Sequence, residues 1–272
     1  MPTATIRDLL TAARPRIPGL DAHVLLTEIL GVERSYLLAH PEAEVTVEQV
    51  DQFRGWLERA AAGEPIAYII GRRAFYDRDF AVTPAVLIPR PETELLLEQA
   101  LAWAKPRSSV RAVDVGTGSG ALAVTFAALV LQADVCAVDV SAAALLVARQ
   151  NAERHGAQVT FAQGDLLTPF LDRQFDLVMA NLPYIAADEV PTLAVSRYEP
   201  VLALDGGGDG LDLIRRLIAQ IPQVTLPGAL ILLEIGAGQG AATLEIAQRL
   251  NPAASEVIPD YAGHDRIVKL VR

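Results

Sequence analysis

The stretch Leu177–Ile185, Leu-Val-Met-Ala-Asn-Leu-Pro-Tyr-Ile, decides how the rest of the chain is read. A largely apolar run from Phe175 to Ala180 stops at Asn181, and a stiff polar turn, Leu182-Pro183-Tyr184, follows. A continuous rather than alternating apolar run reads as a buried parallel strand. The turn then sits at the carboxyl end of that strand, where ligands bind in open α/β sheets. A second stretch, Val113–Gly120 (VDVGTGSG), ends an earlier apolar strand in a glycine-rich turn, and Asp139 ends the strand after it. Three strand ends therefore face one crevice: a glycine cradle, a carboxylate and an Asn-Leu-Pro-Tyr turn.

Working outward, the chain alternates strand and helix from Val110 onward. The pattern predicts strands over 110–115, 134–139, 157–162, 175–181, 228–235, 254–259 and 266–271. Helices fall near 119–131, 141–155, 210–220 and 239–250. Such alternation implies a parallel sheet covered on both faces. The last two strands are joined only by Asp260–Asp265, too short for a parallel crossover, so the final strand is expected to run antiparallel. Gly206–Gly210 (GGGDG) reads as a flexible loop leading into a helix.

Toward the N-terminus, residues 1 to about 63 read as amphipathic helices. Leu9, Leu10 and Ala13 share one face; Leu25, Leu26, Ile29 and Leu30 share another, with Gly31 as C-cap. Thr46 has N-cap chemistry for a helix through Val50, Phe53, Trp56 and Leu57, which Gly63 and Pro65 end. From Ile66 to Pro89 the β-branched and aromatic content predicts short strands or a hairpin, with turn signals near Gly71 and Asp77. IPRPETE then opens a helix over Glu94–Ala104, with Pro91 and the acidic residues suited to its first turn. The expected division is a helical domain over 1–65, a linking hairpin over 66–90 and an α/β domain over 91–272.

Bulk properties narrow the function. With 51% hydrophobic residues among 272, the chain is that of a folded globular protein. No run of about 18 uncharged apolar residues offers a membrane span. MPTATIRDLL lacks a cationic segment followed by an apolar one, so secretion is not expected, and cytoplasmic location is. The single cysteine, Cys136, excludes an internal disulfide and a cysteine-rich zinc site, and its apolar strand places it in the core. His23, His40, His155 and His264 show no metal-ligand spacing, and no metal is expected. A net charge of −10 argues against a nucleic-acid partner.

The turn Gly116-Thr117-Gly118-Ser119-Gly120 follows a strand and opens a helix, so glycines allow tight turning and close approach of a ligand to exposed amides. With Ala121 it fits the dinucleotide pattern, and Asp139 lies at the ribose-binding distance. This motif alone does not separate a nicotinamide cofactor from S-adenosylmethionine. Asp114 favours the latter: a carboxylate just before the turn repels a pyrophosphate and attracts an amino acid's ammonium. Asp139 can accept both ribose hydroxyls, and Asp165 can accept from an adenine amine, though it also suits an ordinary turn.

The second turn fits methyl transfer to a planar nitrogen. An amide or exocyclic amine has a delocalised lone pair and is a poor nucleophile. A site helps by holding its N–H groups on acceptors so that the nitrogen's face meets the methyl donor. Asn181 offers a side-chain carbonyl and Leu182 a backbone carbonyl, whose direction Pro183 restricts. Tyr184 offers a flat wall for stacking. Catalysis would be mostly positioning and electrostatics.

VDVGTGSG, Asp139 and NLPY resemble S-adenosylmethionine-dependent methyltransferases of the (D/N)PP(Y/F) group. GEPIAYIIGRRAFYDRDF, VLIPRPETE, EPVLALDGGGDGL and the LLEIG…GHDR ending further resemble the HemK/PrmC type, the peptide chain release factor glutamine-N5 methyltransferases, over nearly the whole chain. The resemblance implies a Rossmann-like class I methyltransferase domain of seven strands, with a small helical N-terminal domain and a β-hairpin linker. It implies methylation of the glutamine in the Gly-Gly-Gln loop of class 1 release factors. By position, Gly116, Thr117, Gly118, Ser119, Gly120 and Asp139 would bind the cofactor, Leu166 would flank the adenine, and Asn181, Leu182, Pro183 and Tyr184 would hold the glutamine amide. One departure stands out: Leu182 replaces the first of the usual two prolines, so the backbone there is less constrained. A monomer with no membrane or nucleic-acid partner is expected. Other readings are a ribosomal-protein glutamine methyltransferase, a nucleic-acid amine methyltransferase, a nicotinamide dehydrogenase, which would leave Asn181–Tyr184 unexplained, and a non-catalytic adapter.

Overall fold

A computed structural model describes residues 4–272. Residues 1–3, which open the stretch read as helical in the sequence, lie outside the described residues. The chain divides into one unit ending at Arg72 and another over Arg73–Arg272.

In the first unit, β1 (Ala4–Thr5) leads into α1 (Ile6–Ala13), followed by α2 (Gly19–Leu30) and α3 (Arg34–Ala39). β2 (Glu44–Val45) pairs antiparallel with β1, and α4 (Val47–Ala61) and α5 (Ile66–Ile70) follow. Thr46 caps α4 as expected, in a reciprocal capping box with Gln49. Gly31 closes α2 in the left-handed conformation at φ 64°. Ile6, Leu25, Leu26, Leu37 and Phe53 meet in a buried core. Ile66–Ile70 is a short helix, not a strand. Pro65 at φ −58° starts it, Gly71 at φ 76° ends it, and Ala67, Tyr68 and Ile69 are buried. Burial of three consecutive residues between a Pro start and a left-handed Gly stop overrides the β-propensity of IAYII.

β3 (Arg72–Phe75) and β4 (Arg78–Ala81) form the hairpin, a shorter one than the composition of 66–89 indicated. α6 (Glu92–Ala104) starts two residues earlier than read, directly after Pro91. Then come β5 (Val110–Val115), α7 (Ala121–Leu129), β6 (Ala133–Asp139), α8 (Ala142–Arg154), β7 (Val159–Gln163) and β8 (Phe175–Asn181). The chain closes with α9 (Asp212–Val224), β9 (Thr225–Glu234), α10 (Gly240–Ala247), β10 (Ala254–Pro259) and β11 (Asp265–Val271). α9 runs through Pro222 because its apolar stripe, Ile214, Leu217, Ile218, Ile221 and Val224, is wholly buried. It begins only at Asp212, since Gly210 sits at φ 76°.

The seven strands lie in the order β10-β11-β9-β8-β5-β6-β7. β5 pairs parallel with β6 and β8, and β11 pairs antiparallel with both β9 and β10, as the short final link required. Strand order reverses between β5 and β8, which makes a crevice at their carboxyl ends. Core side chains cover both faces: Val113, Val115, Val178 and Ile231 on one, Ala112, Leu177, Met179 and Leu232 on the other.

Candidate active site at the carboxyl ends of the strands

A cavity of about 340 Å³ opens at that reversal. Its wall includes Asp114, Gly116, Thr117, Gly118, Ser119, Asp139, Asp165, Leu166, Asn181, Leu182 and Pro183, so the three strand ends do converge. Two candidate residues lie outside the wall. Gly120 sits beneath the turn, where a Cβ would come within 3.1 Å of Ala148 Cβ; it permits α7 to pack against α8. Tyr184 does not line this cavity; its ring lies against Gly236.

The glycine turn is held by its own neighbours. Gly116, Gly118 and Gly120 adopt φ of 75°, 55° and 83°, conformations that suit glycine. The amides of Gly116 and Thr117 donate to Val138 O, and Gly120 N donates to Thr117 O. Gly118 N donates to Asp139 Oδ2 at 2.9 Å. These amides are already used within the protein, so the turn is not the open anion cradle that the motif offered. That weighs against a pyrophosphate. A Cβ at Gly118 would meet nothing within 4 Å, which leaves the turn open to a ligand.

Asp114 is buried, and its Oδ2 accepts from Thr117 Oγ1 at 2.7 Å and from Ala123 N at 3.2 Å. Its Oδ1 is buried with no partner among the described residues. Burial pushes its carboxyl up to about 6. A buried, half-satisfied carboxylate on a cavity wall is suited to a cationic ligand. Asp139 accepts from Ser141 N and Gly118 N, one bond on each oxygen, and burial raises its carboxyl too. Each oxygen retains a lone pair for a hydroxyl. Ser141, not Asp139, caps α8. Asp165 pairs with Arg216, which also lines the cavity. Leu166 holds φ 53° and is buried.

At the end of β8, Asn181 lies opposite Glu234 of β9. Its Nδ2 donates to Thr93 Oγ1 at 2.9 Å, and Thr93 Oγ1 donates to Glu234 Oε2 at 2.7 Å. Leu182 is buried in the core, and its Cδ2 lies 2.9 Å from where a Gly116 Cβ would stand, so the two turns touch through this side chain. Gly206–Gly210 is not a loose loop. A Cβ on Gly206 would lie 2.7 Å from Pro183 O, and one on Gly210 would lie 2.2 Å from Tyr184 O. Gly206 N donates to Ile185 O and Ala187 N to Gly207 O, so these glycines brace the Leu-Pro-Tyr backbone. Gln239 Nε2 holds Tyr184 O at 3.0 Å. Burial, then the nearby Glu234 charge, pushes the Tyr184 phenol up.

Sequence reasoning missed Thr93, Glu234, Gln239 and Asn151. Asn151, fully buried, accepts from Ala81 N and donates to Ser119 O, which fastens β4 to the glycine turn. Glu234 had a signal: it ends an apolar strand in a carboxylate, as Asp139 does. The other three had none, because their partners are remote in sequence. Arg90 and the buried Glu199 pair at 2.5 Å, joining RPETE to EPVLA.

Residues 4–71 match the PrmC N-terminal domain family, and residues 112–206 match a methyltransferase domain. A release factor glutamine methyltransferase of Moorella thermoacetica is 44% identical over 253 residues, covering 92% of this chain and 89% of that one. The chain belongs to this family. Another member, from Bacillus subtilis, is 42% identical over 256 residues, with 91% and 89% covered. A solved methyltransferase from Pyrococcus furiosus shares the fold at a TM-score of 0.55 and 18% identity, over 82% of this chain and 98% of that one. Family membership gives the long-range pairs a common setting: RPETE, EPVLALDGGGDG and LLEIG, the segments that carry the family resemblance, are those that grip Asn181–Tyr184. Among the described residues no helix is long and apolar enough to cross a membrane, and no cluster of His, Cys, Asp and Glu is arranged to hold a metal.

Proposed function

We infer that this protein is a protein-(glutamine-N5) methyltransferase acting on the glutamine of the Gly-Gly-Gln loop of class 1 peptide chain release factors, with S-adenosylmethionine as methyl donor, in the cytoplasm. The observation that carries this reading is the Asn181 amide. Its NH₂ is tied to Thr93, so its carbonyl is left for the cavity, where an acceptor for an amide hydrogen is needed. The names of the relatives, release factor glutamine methyltransferases, support a release factor as the substrate.

The residues present fit the donor. The unpartnered Oδ1 of Asp114 suits an ammonium, open Gly118 and the rest of Gly116–Gly120 suit close passage of the ligand, and Thr117 and Ser119 border it. Asp139 suits ribose hydroxyls; Asp165 and Leu166 suit the adenine, with Asp165 shared by Arg216. S-adenosylmethionine supplies an electrophilic methyl on a sulfonium. Asn181 Oδ1 and the Leu182 carbonyl accept the two hydrogens of the glutamine amide, which turns the nitrogen's face toward the cofactor side. Neutral acceptors would also stabilise the positive charge that grows on that nitrogen as the methyl's bond to sulfur breaks, until one of the two amide hydrogens leaves as a proton to water. Pro183 and the glycines behind it keep the Leu182 carbonyl in place. Tyr184 supports the turn through its backbone carbonyl, which Gln239 holds. The helices of the first unit, which carry no chemical constellation, are assigned to recognition of the release factor.

The test is to incubate the protein with labelled S-adenosylmethionine and, separately, a class 1 release factor and glutamine-containing ribosomal proteins. Label on the release factor supports the reading. Label on a ribosomal protein alone overturns the substrate assignment, and no label on any protein overturns the activity.

A further inference from the structure

Thr93 and Glu234 take no direct part in the chemistry above, yet both are buried and joined in one line to Asn181. A carboxylate only accepts hydrogen bonds. The Thr93 hydroxyl therefore gives its hydrogen to Glu234, and its oxygen must accept from Asn181. Of the two ends of the Asn181 amide, only NH₂ can donate, so the network assigns the orientation: NH₂ toward Thr93, carbonyl away from it. The opposite orientation would set NH₂ against the NH₂ of a glutamine substrate, donor against donor.

We propose that Thr93 and Glu234 are positioning residues that set the direction of the Asn181 amide, so that a buried carboxylate two hydrogen bonds away decides whether the site accepts or repels the substrate amide. The proposal rests on the glutamine-methyltransferase reading for its catalytic consequence but not for its geometry. It goes beyond the grip itself, because it makes that grip conditional on the ionisation of Glu234. A protonated Glu234 can donate to Thr93, and the line of hydrogen bonds can then run backward. Glu234 is poised for this: burial pushes its carboxyl up to about 7, and its Oε1 has no partner among the described residues. The charged and titratable groups around it are Arg266 of β11, Arg90 ahead of α6, Glu92 of α6 and Tyr184. Arg90 is engaged by Glu199 and Arg266 by Asp260, so each cation is shared with another carboxylate.

Two measurements on the full chain decide it. The first follows the side-chain amide of Asn181 in ¹⁵N–¹H spectra, assigned by its loss in Asn181→Ala. The pair should shift with pH near neutrality in the wild type and stop titrating in Glu234→Gln. An amide pair blind to pH in the wild type would overturn the proposal, whatever the enzyme methylates. The second separates kcat from KM. Thr93→Val should lower kcat about tenfold to a hundredfold, the scale of a misplaced reacting group, while KM for S-adenosylmethionine stays nearly unchanged. Thr93→Ser, which keeps the hydroxyl, should recover most of the loss. Undiminished kcat in Thr93→Val, or equal loss in Thr93→Ser, would contradict the positioning role. A wild-type protein that labels no glutamine would instead defeat the functional reading and leave the spectral test to decide the geometry.

Discussion

At the end of β5, the glycine turn is fastened by bonds to residues close in the chain. Thr117 reaches Asp114 three residues back, Gly118 reaches Asp139 across 21 residues, and Ser119 reaches Asn151 across 32. At the end of β8, the Asn-Leu-Pro-Tyr turn is fastened from afar. Asn181 reaches Thr93 across 88 residues, Thr93 reaches Glu234 across 141, and Tyr184 is held by Gln239 across 55. The half proposed to hold the cofactor is thus the more local unit, a strand-turn-helix tied to its near neighbours. The acceptor half exists only once α6, β9, the glycine-rich loop and the Gly236–Gln239 loop have assembled around it. On the proposed reading, the turn that would hold the methyl donor needs only its near neighbours, whereas the turn that would select one nitrogen is supported from across the unit.

The two halves should fail differently, and the sharpest separation is in turnover. Asn181→Ala should cut kcat by about 10²–10³, the cost of one preorganised polar contact to developing charge, with little change in cofactor affinity. Near-normal turnover would remove Asn181 from the mechanism. Asp139→Ala should do the reverse. Calorimetry should show S-adenosylmethionine binding weakened by roughly 1.5–3 kcal/mol, the range of charged hydrogen bonds, with much smaller loss in kcat at saturation. If both variants lost affinity equally, the division into halves would be wrong.

Much of the cofactor half was legible because its spacing is short-range: strand, glycines, and an acid about one βα unit later. The turn at Asn181 was legible as a strand end with neutral acceptors. What braces it was not. Gly206–Gly210 reads as a flexible loop in sequence because glycine marks both freedom and close approach, and only the nearness of Pro183 O and Tyr184 O tells them apart. Tyr184 reads as a stacking wall because its ring is flat, but its backbone is what the neighbouring loops hold. Leu182 reads as a weakened proline position; its buried side chain, pressed on Gly116, supplies packing where ring constraint is lacking.

A smaller effect sharpens the cofactor half. Burial pushes the Asp114 carboxyl up from the ordinary 3.8 to about 6. The stability that it lends the free protein is therefore fully present below about pH 3.8 and lost as pH rises through about 6. A bound ammonium favours the ionised form, so affinity for S-adenosylmethionine should be level between pH 6 and about pH 8, where the ligand's own α-ammonium begins to deprotonate, and fall roughly tenfold per unit below pH 6. Asp114→Asn should bind more weakly and with a flatter profile between pH 5 and 7, and an unchanged slope would assign the titration to another group.

The smallest effects are in stability. Gly118→Ala meets open space and should cost only left-handed strain, about 1–2 kcal/mol. Gly210→Ala adds a Cβ 2.2 Å from Tyr184 O to the same strain, so its melting temperature should fall further and kcat should fall with it. Equal melting temperatures would mean that the loop does not brace the turn.

The most direct test is where the methyl group goes. Tandem mass spectrometry of a class 1 release factor, after incubation with this protein and S-adenosylmethionine, should find one added methyl on the side chain of the Gly-Gly-Gln glutamine. A methyl on any other residue, or a release factor recovered unmodified while the protein demonstrably binds the cofactor, would contradict it.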